Sequence, residues 1–338
     1  MSRLPKNDKP PAIFLMGPTA TGKTDLAIKL HKYLPIEIIS VDSSQIYKGM
    51  DIGSAKPSKE VLDKIPHRLL DIRDPSEVYS VADFARDARK AMQEITDQGQ
   101  IPILVGGAML YFRALLNGLA DNPPPDDVIR KKIEAEASKH GWPYLYSKLK
   151  DFDPDLAKDL HPNNSQRIQR ALEVYYITGE IPSNIRRNQK KYGSEIKSII
   201  KDYQIIQIAL IPIKRIDLHK RIESRFTKML DADFEAEVRL LYDRGDLHEN
   251  LPAIRSAGYK QMWSYLSGKI EYNDIIKLSN AATRQLAKRQ LTWLKKWPNL
   301  QEIKVDYSNQ ENTNYESKML FDCLKILKRS NIYSGVSH

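Results

Sequence analysis

Apolar residues follow two textures along this chain. Ala12-Ile-Phe-Leu-Met16, Ile36-Glu-Ile-Ile-Ser-Val41 and Ile101-Pro-Ile-Leu-Val105 are short runs that stop at a glycine or an aspartate. Runs of this length, bounded by turn residues, predict buried strands. Between them the spacing is helical. Leu26, Ala27, Leu30 and Leu34 share one face of a helix predicted over Lys23–Tyr33, and a second amphipathic helix spans Ala82–Gln98 and closes at Gly99. Strand and helix alternate through the first third of the chain, which predicts an α/β fold with a parallel sheet.

The pattern changes at Asn122-Pro-Pro-Pro-Asp126, where three prolines make a stiff, non-helical connection. From Asp127 to about Gly193 the chain is charged and helix-compatible. A strand pattern returns at Ile205-Ile-Gln-Ile-Ala-Leu-Ile211, as if the chain re-enters the first sheet. Long helices are predicted over Leu218–Gly245 and Asn273–Trp297, and a last one over Tyr315–Lys328. The expected organisation is an α/β core of residues 1–121 and 200–338 with an inserted all-helical subdomain at 122–199.

Composition narrows the setting. At 338 residues, 41% hydrophobic and 28% charged, the chain can bury a core without staples. Cys323 is the only cysteine, so an intramolecular disulfide and a cysteine-rich zinc site are both excluded. Met1–Pro10 lacks the apolar segment of a signal peptide, and the longest apolar runs are strand-sized, so a cytoplasmic protein without a membrane span is expected. The net charge of +10 favours a polyanionic partner such as nucleic acid.

Gly17-Pro-Thr-Ala-Thr-Gly-Lys-Thr24 satisfies G-x-x-x-x-G-K-[ST] at every position, between a strand and a helix as the motif requires. Inward-pointing backbone N–H groups and the helix N-terminus favour a phosphate chain there. Lys23 supplies a cation for the outer phosphate, and the Thr24 hydroxyl a ligand for Mg²⁺. Three uses stay open: a kinase using ATP, a transferase with a diphosphate leaving group, and a nucleotide-gated RNA-binding module. Asp42 ends the second strand, so a parallel sheet puts it at the edge carrying the loop. It reads as a general base or metal-facing carboxylate, or as a turn former within Asp-Ser-Ser. Gly106-Gly107 reach the same edge, either for close approach to a ligand or as a plain turn.

Further runs carry a resemblance: Val41-Asp-Ser-Ser-Gln-Ile-Tyr-Lys-Gly-Met-Asp-Ile-Gly53, His67-Arg-Leu-Leu-Asp-Ile-Arg-Asp-Pro75, Leu104-Val-Gly-Gly-Ala-Met-Leu-Tyr111, Asn164-Ser-Gln-Arg-Ile-Gln-Arg-Ala-Leu-Glu-Val174, Ile254-Arg-Ser-Ala-Gly-Tyr-Lys-Gln-Met-Trp263 and Ala282-Thr-Arg-Gln-Leu-Ala-Lys-Arg-Gln-Leu-Thr-Trp293. With the phosphate loop they resemble the bacterial tRNA dimethylallyltransferases over residues 11 to 298. The resemblance implies a P-loop NTPase-like core. It implies transfer of a dimethylallyl group from dimethylallyl diphosphate to the exocyclic amino group of adenosine 37 beside the tRNA anticodon. It also implies Mg²⁺ as cofactor, the anticodon stem-loop as partner and a monomer. Asp42 then matches the catalytic aspartate, and Lys23 assists it. Gly17, Thr19, Ala20, Thr21, Gly22, Lys23, Thr24 and Arg221 match the diphosphate site. Asp42, Ser43, Ser44, Gln45 and Ala108 match the adenosine side. Arg130, Gln166, Arg167, Ile168, Gln169, Arg170, Arg255 and Lys260 match further tRNA contacts. Ala108 is a departure, because the family commonly carries Thr there.

The chemistry suits these residue types. A loop with lysine and Mg²⁺ stabilises a departing diphosphate, and a carboxylate accepts the amino proton. The adenosine must leave its stack to reach them. Between Ile275 and Gln301 the chain carries basic residues and no acidic one. On a helix Arg284, Lys288 and Lys295 form a cationic face for RNA phosphates, opposite an apolar face of Ala282, Leu286, Trp293 and Trp297. A second basic cluster is Arg186, Arg187, Lys190 and Lys191. Either cluster also fits an ordinary solvated surface. Trp263, Tyr265, Trp293 and His67 read as structural.

Overall fold

The computed structural model describes residues 9–119, 123–192, 196–308 and 314–332, with the side chains at 189–192 and 314 excluded from that description. Asn122 and the side chains of Lys190 and Lys191 therefore lie outside the described residues. Strands β1 (Pro11–Met16), β2 (Ile36–Val41), β3 (His67–Arg68), β4 (Ile101–Gly106), β5 (Gln204–Pro212) and β6 (Gln301–Val305) form one sheet in the order β3-β2-β4-β1-β5-β6. Every pairing is parallel. The helices of the sheet's unit are α1 (Lys23–Leu30), α2 (Lys59–Lys64), α3 (Val81–Asp97) and α4 (Met109–Asn117). The helical segment holds α5 (Asp127–His140), α6 (Trp142–Phe152), α7 (Pro154–Ala157), α8 (Ser165–Thr178) and α9 (Pro182–Tyr192). The chain then returns through α10 (Arg215–Asp231), α11 (Phe234–Tyr242), α12 (Tyr259–Leu266), α13 (Tyr272–Leu294) and α14 (Asn314–Arg329).

The chain gathers into two compact units, one of residues 1–116 with 199–338 and one of residues 117–198. In the first, β1 and β4 are neighbours whose chains leave in opposite directions, toward β2 and toward β5. Ligands of open α/β sheets bind at such a switch, outside the carboxyl ends of the strands. One sheet face buries Ile13, Leu15, Ile38, Ile103 and Ile208 against Leu26 and Leu30 of α1 and Met319, Cys323 and Leu327 of α14. This is the P-loop NTPase-like core. No described helix is long and apolar enough to cross a membrane.

Two expectations change. The helix expected over Leu218–Gly245 is broken between α10 and α11, because Asp233 takes φ 68°, a left-handed conformation that Asp tolerates better than most residues. Strands β3 and β6 had no clear apolar run. One has two residues, and the other buries only Ile303 and Val305 as an edge strand. Ser80 starts α3 with a reciprocal capping box to Asp83.

The helical unit packs Ile133, Leu145, Leu149, Leu156, Ile168 and Leu172 into its own core. Beside them the Glu173 side chain is 0% exposed and lies between Arg130, whose Nε donates at 2.8 Å, and Arg170, whose Nη1 donates at 2.6 Å. The Asp126 N–H donates to the same carboxylate. Burial pushes this carboxyl up, but Arg170, the Asp126 N–H and Arg130 together hold it below its ordinary value.

Candidate active site

The carboxyl ends of β1, β2 and β4 open onto a cavity of about 880 Å³. The loop after β1 forms one wall. Its Pro18 carbonyl accepts from the Thr21 hydroxyl at 2.8 Å and from Lys23 Nζ at 2.7 Å, which folds the turn on itself. Ala20 is held at φ 65°. Its carbonyl accepts from Arg221 Nε at 2.9 Å, and that guanidinium lies 4.6 Å from the Tyr307 ring centroid. The Tyr307 hydroxyl donates to the Thr21 carbonyl at 2.8 Å. Strain at Ala20 is thus held by contacts from outside the loop.

Asp42 stands where β2 ends. Its Oδ1 accepts from the Ser44 N–H at 2.8 Å and from the Ser44 hydroxyl at 2.6 Å. These bonds fix the carboxylate, while its Oδ2 accepts none among the described residues. Gln45 does not project freely. It accepts from Ser40 and donates to the Ser54 and Ala55 carbonyls, tying the segment after Asp42 to the loop that follows. That loop is anchored by Glu237 of α11, whose carboxylate accepts from the N–H groups of Asp51, Ile52 and Gly53 and from the Tyr259 hydroxyl.

Cations dominate the electrostatics. Lys23, Arg221, Arg225, Arg255, Lys260 and Arg289 all line this cavity with Asp42. Burial lowers the Lys23 amine to about 7, with Asp42 pulling it up and Arg225 pushing it down. Arg225 is likewise pressed down by burial and by Arg221, and held up by Asp42. Arg225 makes no ion pair among the described residues. Such charges are poised for an anionic ligand.

The structure distributes the expected site residues unevenly. Thr19, Ala20, Thr21, Gly22, Lys23 and Thr24 line the cavity, as do Asp42, Ser43, Ser44, Gln45, Ala108, Arg255 and Lys260, whereas Gly17 is buried beneath. Two of the loop's own groups are turned inward: Thr21 is 0% exposed with its hydroxyl spent on Pro18, and the Thr19 N–H donates to Gln290. Arg284 and Lys288 line a different groove between α10 and α13, with Arg284 paired to Glu223.

The apolar face expected on α13 is also corrected. Ala282 and Leu286 line the cavity, and Ala287, Gln290 and Leu294 are the buried stripe, because α10, α12 and the phosphate loop pack against this helix. Ile168 is fully buried, so its side chain offers nothing to RNA. Arg130 and Arg170 are engaged by Glu173, and Gln169 donates to Glu134, while Arg167 is exposed. Gln166 has a partner within the protein. His67 is structural, with Nδ1 2.7 Å from the Ile65 carbonyl and a ring pKa lowered by burial.

Sequence reading missed Arg225, Gln290 and Glu237. Arg225 had a signal, standing one helical turn from Arg221 beside the apolar Ile222 and Phe226. Gln290 had a weaker one, a polar residue at the spacing of a buried stripe. Glu237 had none.

The sequence pattern of the IPP transferase family matches residues 45–297. Among solved structures, the full-length tRNA isopentenylpyrophosphate transferase of Bacillus halodurans is similar at 34% identity and TM-score 0.65, over 96% of this chain and 99% of that one. The tRNA delta(2)-isopentenylpyrophosphate transferase of Staphylococcus epidermidis matches at 32% identity and TM-score 0.64, over 95% and 100%. A eukaryotic dimethylallyltransferase acting on tRNA matches at 26% identity and TM-score 0.76, over 96% of this chain and 80% of that one.

Proposed function

The chain belongs to the IPP transferase family, and we propose that it moves a dimethylallyl group from dimethylallyl diphosphate to the exocyclic amino group of adenosine 37 in tRNA, releasing diphosphate. The observation that carries this reading is the shared cavity. Asp42 faces Lys23 and Arg225 closely enough to shift both, so base and leaving-group cations converge on one space.

In the reaction the allylic C–O bond breaks, a C–N bond forms, and the departing diphosphate takes the bond's electron pair. Lys23, Arg225 and the N–H groups at the start of α1 offset that developing charge. The adenine amino group is a poor nucleophile, since its lone pair is delocalised into the ring. Asp42 Oδ2 accepts its proton, while Ser44 keeps Oδ1 in place. General-base help of this kind is worth about 10²–10⁴-fold. Extrusion of the base from its stack brings it to the Asp42–Ala108 side of the cavity.

Mg²⁺ fits as an ion that arrives with the diphosphate. Thr24 and Asp42 present hard oxygens to the cavity, and no cluster of three His, Cys, Asp or Glu able to hold a metal occurs among the described residues. Mg²⁺ is commonly completed by substrate phosphates and water in such sites. When bound, it would neutralise charge on the leaving group.

The test is transfer of label from radiolabelled dimethylallyl diphosphate into an unmodified anticodon stem-loop with adenosines at positions 36 to 38, with ATP consumption followed alongside. Label entering the RNA at position 37 without ATP supports the reading. ATP consumption with no transfer would replace it with a kinase.

A further inference from the structure

Gln290 lies in the buried stripe of α13 at 7% exposure, far in sequence from both segments it joins. Its Oε1 accepts from the Thr19 N–H at 2.9 Å, and its Nε2 donates to the Gly107 carbonyl at 3.0 Å. Only one orientation of the amide satisfies both partners, since the reverse would face donor to donor and acceptor to acceptor. Gly107 leaves room for this side chain, and Gly106 for the backbone of β2. A Cβ on Gly107 would lie 2.2 Å from Nε2, and one on Gly106 would lie 2.0 Å from the Val41 carbonyl. That same Val41 carbonyl accepts from the N–H groups of Gly107 and Ala108, both at 3.2 Å, and Asp42 is the next residue. A continuous line of contacts therefore runs from the phosphate loop through Gln290 and Gly107 to the backbone that carries the base.

We propose that Gln290 is a positioning residue that sets the spacing between the leaving-group loop and the Asp42–Ala108 edge. This deepens the reading above and rests on it. Prenyl transfer needs the electrophilic carbon, held by its diphosphate, in line with an amino group held at the other edge. Nothing else described bonds the loop's Thr19 directly to the turn after β4. Misplacement of reacting atoms by about 1 Å can cost about 10²-fold. The Thr19 N–H belongs to this clasp and not to the diphosphate.

Two variants test it in single-turnover transfer from pH 5.5 to 9, each normalised to wild type at the same pH. Gln290→Met keeps the volume and removes both bonds. Its transfer rate constant falls about 10- to 100-fold at every pH, with the half-saturating concentration of each substrate within threefold. Gln290→Glu is the sharper test. Protonated, the carboxyl is isosteric with the amide, accepting from Thr19 and donating to Gly107. Ionised, it has no proton to donate and sets an anion against a carbonyl. Burial beside that carbonyl raises its pKa. Its normalised rate therefore lies within fivefold of wild type at pH 5.5 and falls to the level of Gln290→Met by pH 9. A flat normalised profile for Gln290→Glu, or Gln290→Met within twofold of wild type, overturns the proposal. Should wild type itself transfer nothing, the functional reading fails and the clasp is read by amide hydrogen exchange. Faster exchange at residues 17–24 and 104–110 in Gln290→Met upholds it, and unchanged exchange there overturns it.

Discussion

Both units of this protein place arginines beside a carboxylate, with opposite consequences. In the helical unit Arg130 and Arg170 close on Glu173, whose side chain is 0% exposed, and the Asp126 N–H completes its bonding. Charge is balanced within the protein and the cluster holds α5 to α8. At the sheet edge Asp42 faces Lys23 and Arg225, and the cations outnumber it. The balance there is left to a ligand. A carboxylate enclosed by its partners is architecture, and one outnumbered by cations at an open cavity marks chemistry.

Asp42→Ala breaks the comparison at its most sensitive point. Transfer is expected to fall by about 10²–10⁴-fold. Diphosphate affinity should change far less, because the removed carboxylate repels the diphosphate but also favours protonated Lys23; rapid-quench transfer and calorimetry with inorganic diphosphate measure the two.

Glu173→Gln attacks the other side. Uncovering a buried ion pair costs about 3–5 kcal/mol. The two arginines keep some solvent, so the lower end is expected, read as denaturant unfolding of residues 117–198. Diphosphate affinity should stay within twofold. In wild type the Glu173 carboxyl is lowered from 4.5, so its stabilisation is complete above that value and is lost as pH falls through the lowered one.

Proton linkage sharpens the contrast at the cavity. Lys23 titrates near 7 in the free protein and is held protonated by a bound diphosphate. Above that pH binding must take up a proton, so diphosphate affinity falls as pH rises toward 9, by up to about tenfold per unit. Calorimetry at pH 8.5 in two buffers of different ionisation enthalpy reads the uptake. Lys23→Met should show none.

The smallest effect concerns Ala108, which lines the cavity at the position where the family resemblance implies Thr. One neutral hydrogen bond is worth about 0.5–1.5 kcal/mol. Ala108→Thr should therefore raise the transfer rate several-fold, and a rate unchanged within error would show that this hydroxyl is not missed.

Legibility differed by element. The strands ending at Met16, Val41 and Gly106 were readable because parallel strands buried on both faces leave short apolar-rich runs, interrupted in β2 only by Glu37 and Ser40. β6, half exposed at an edge, left none. The cationic helix was read correctly as basic and wrongly as to its faces. Charge pattern names the polar residues of α13, but only tertiary packing, of α10, α12 and the phosphate loop, decides which stripe is covered. Ile168 sits in a basic stretch of sequence and nonetheless in the core, since helical spacing outranks neighbourhood in the chain.

The sequence by itself determined the phosphate loop, the carboxylate one strand away and the α/β frame that brings them to a common edge. Those features depend on local spacing and on the geometry every parallel sheet shares. The tertiary structure alone decided that Arg221 of α10 braces the loop at the Ala20 carbonyl, that Arg225 joins Lys23 in the cavity, and that Gln290 and Glu237 tie distant segments together. Their partners lie far along the chain, and no periodicity encodes a hydrogen bond between residues that meet only once the fold has formed.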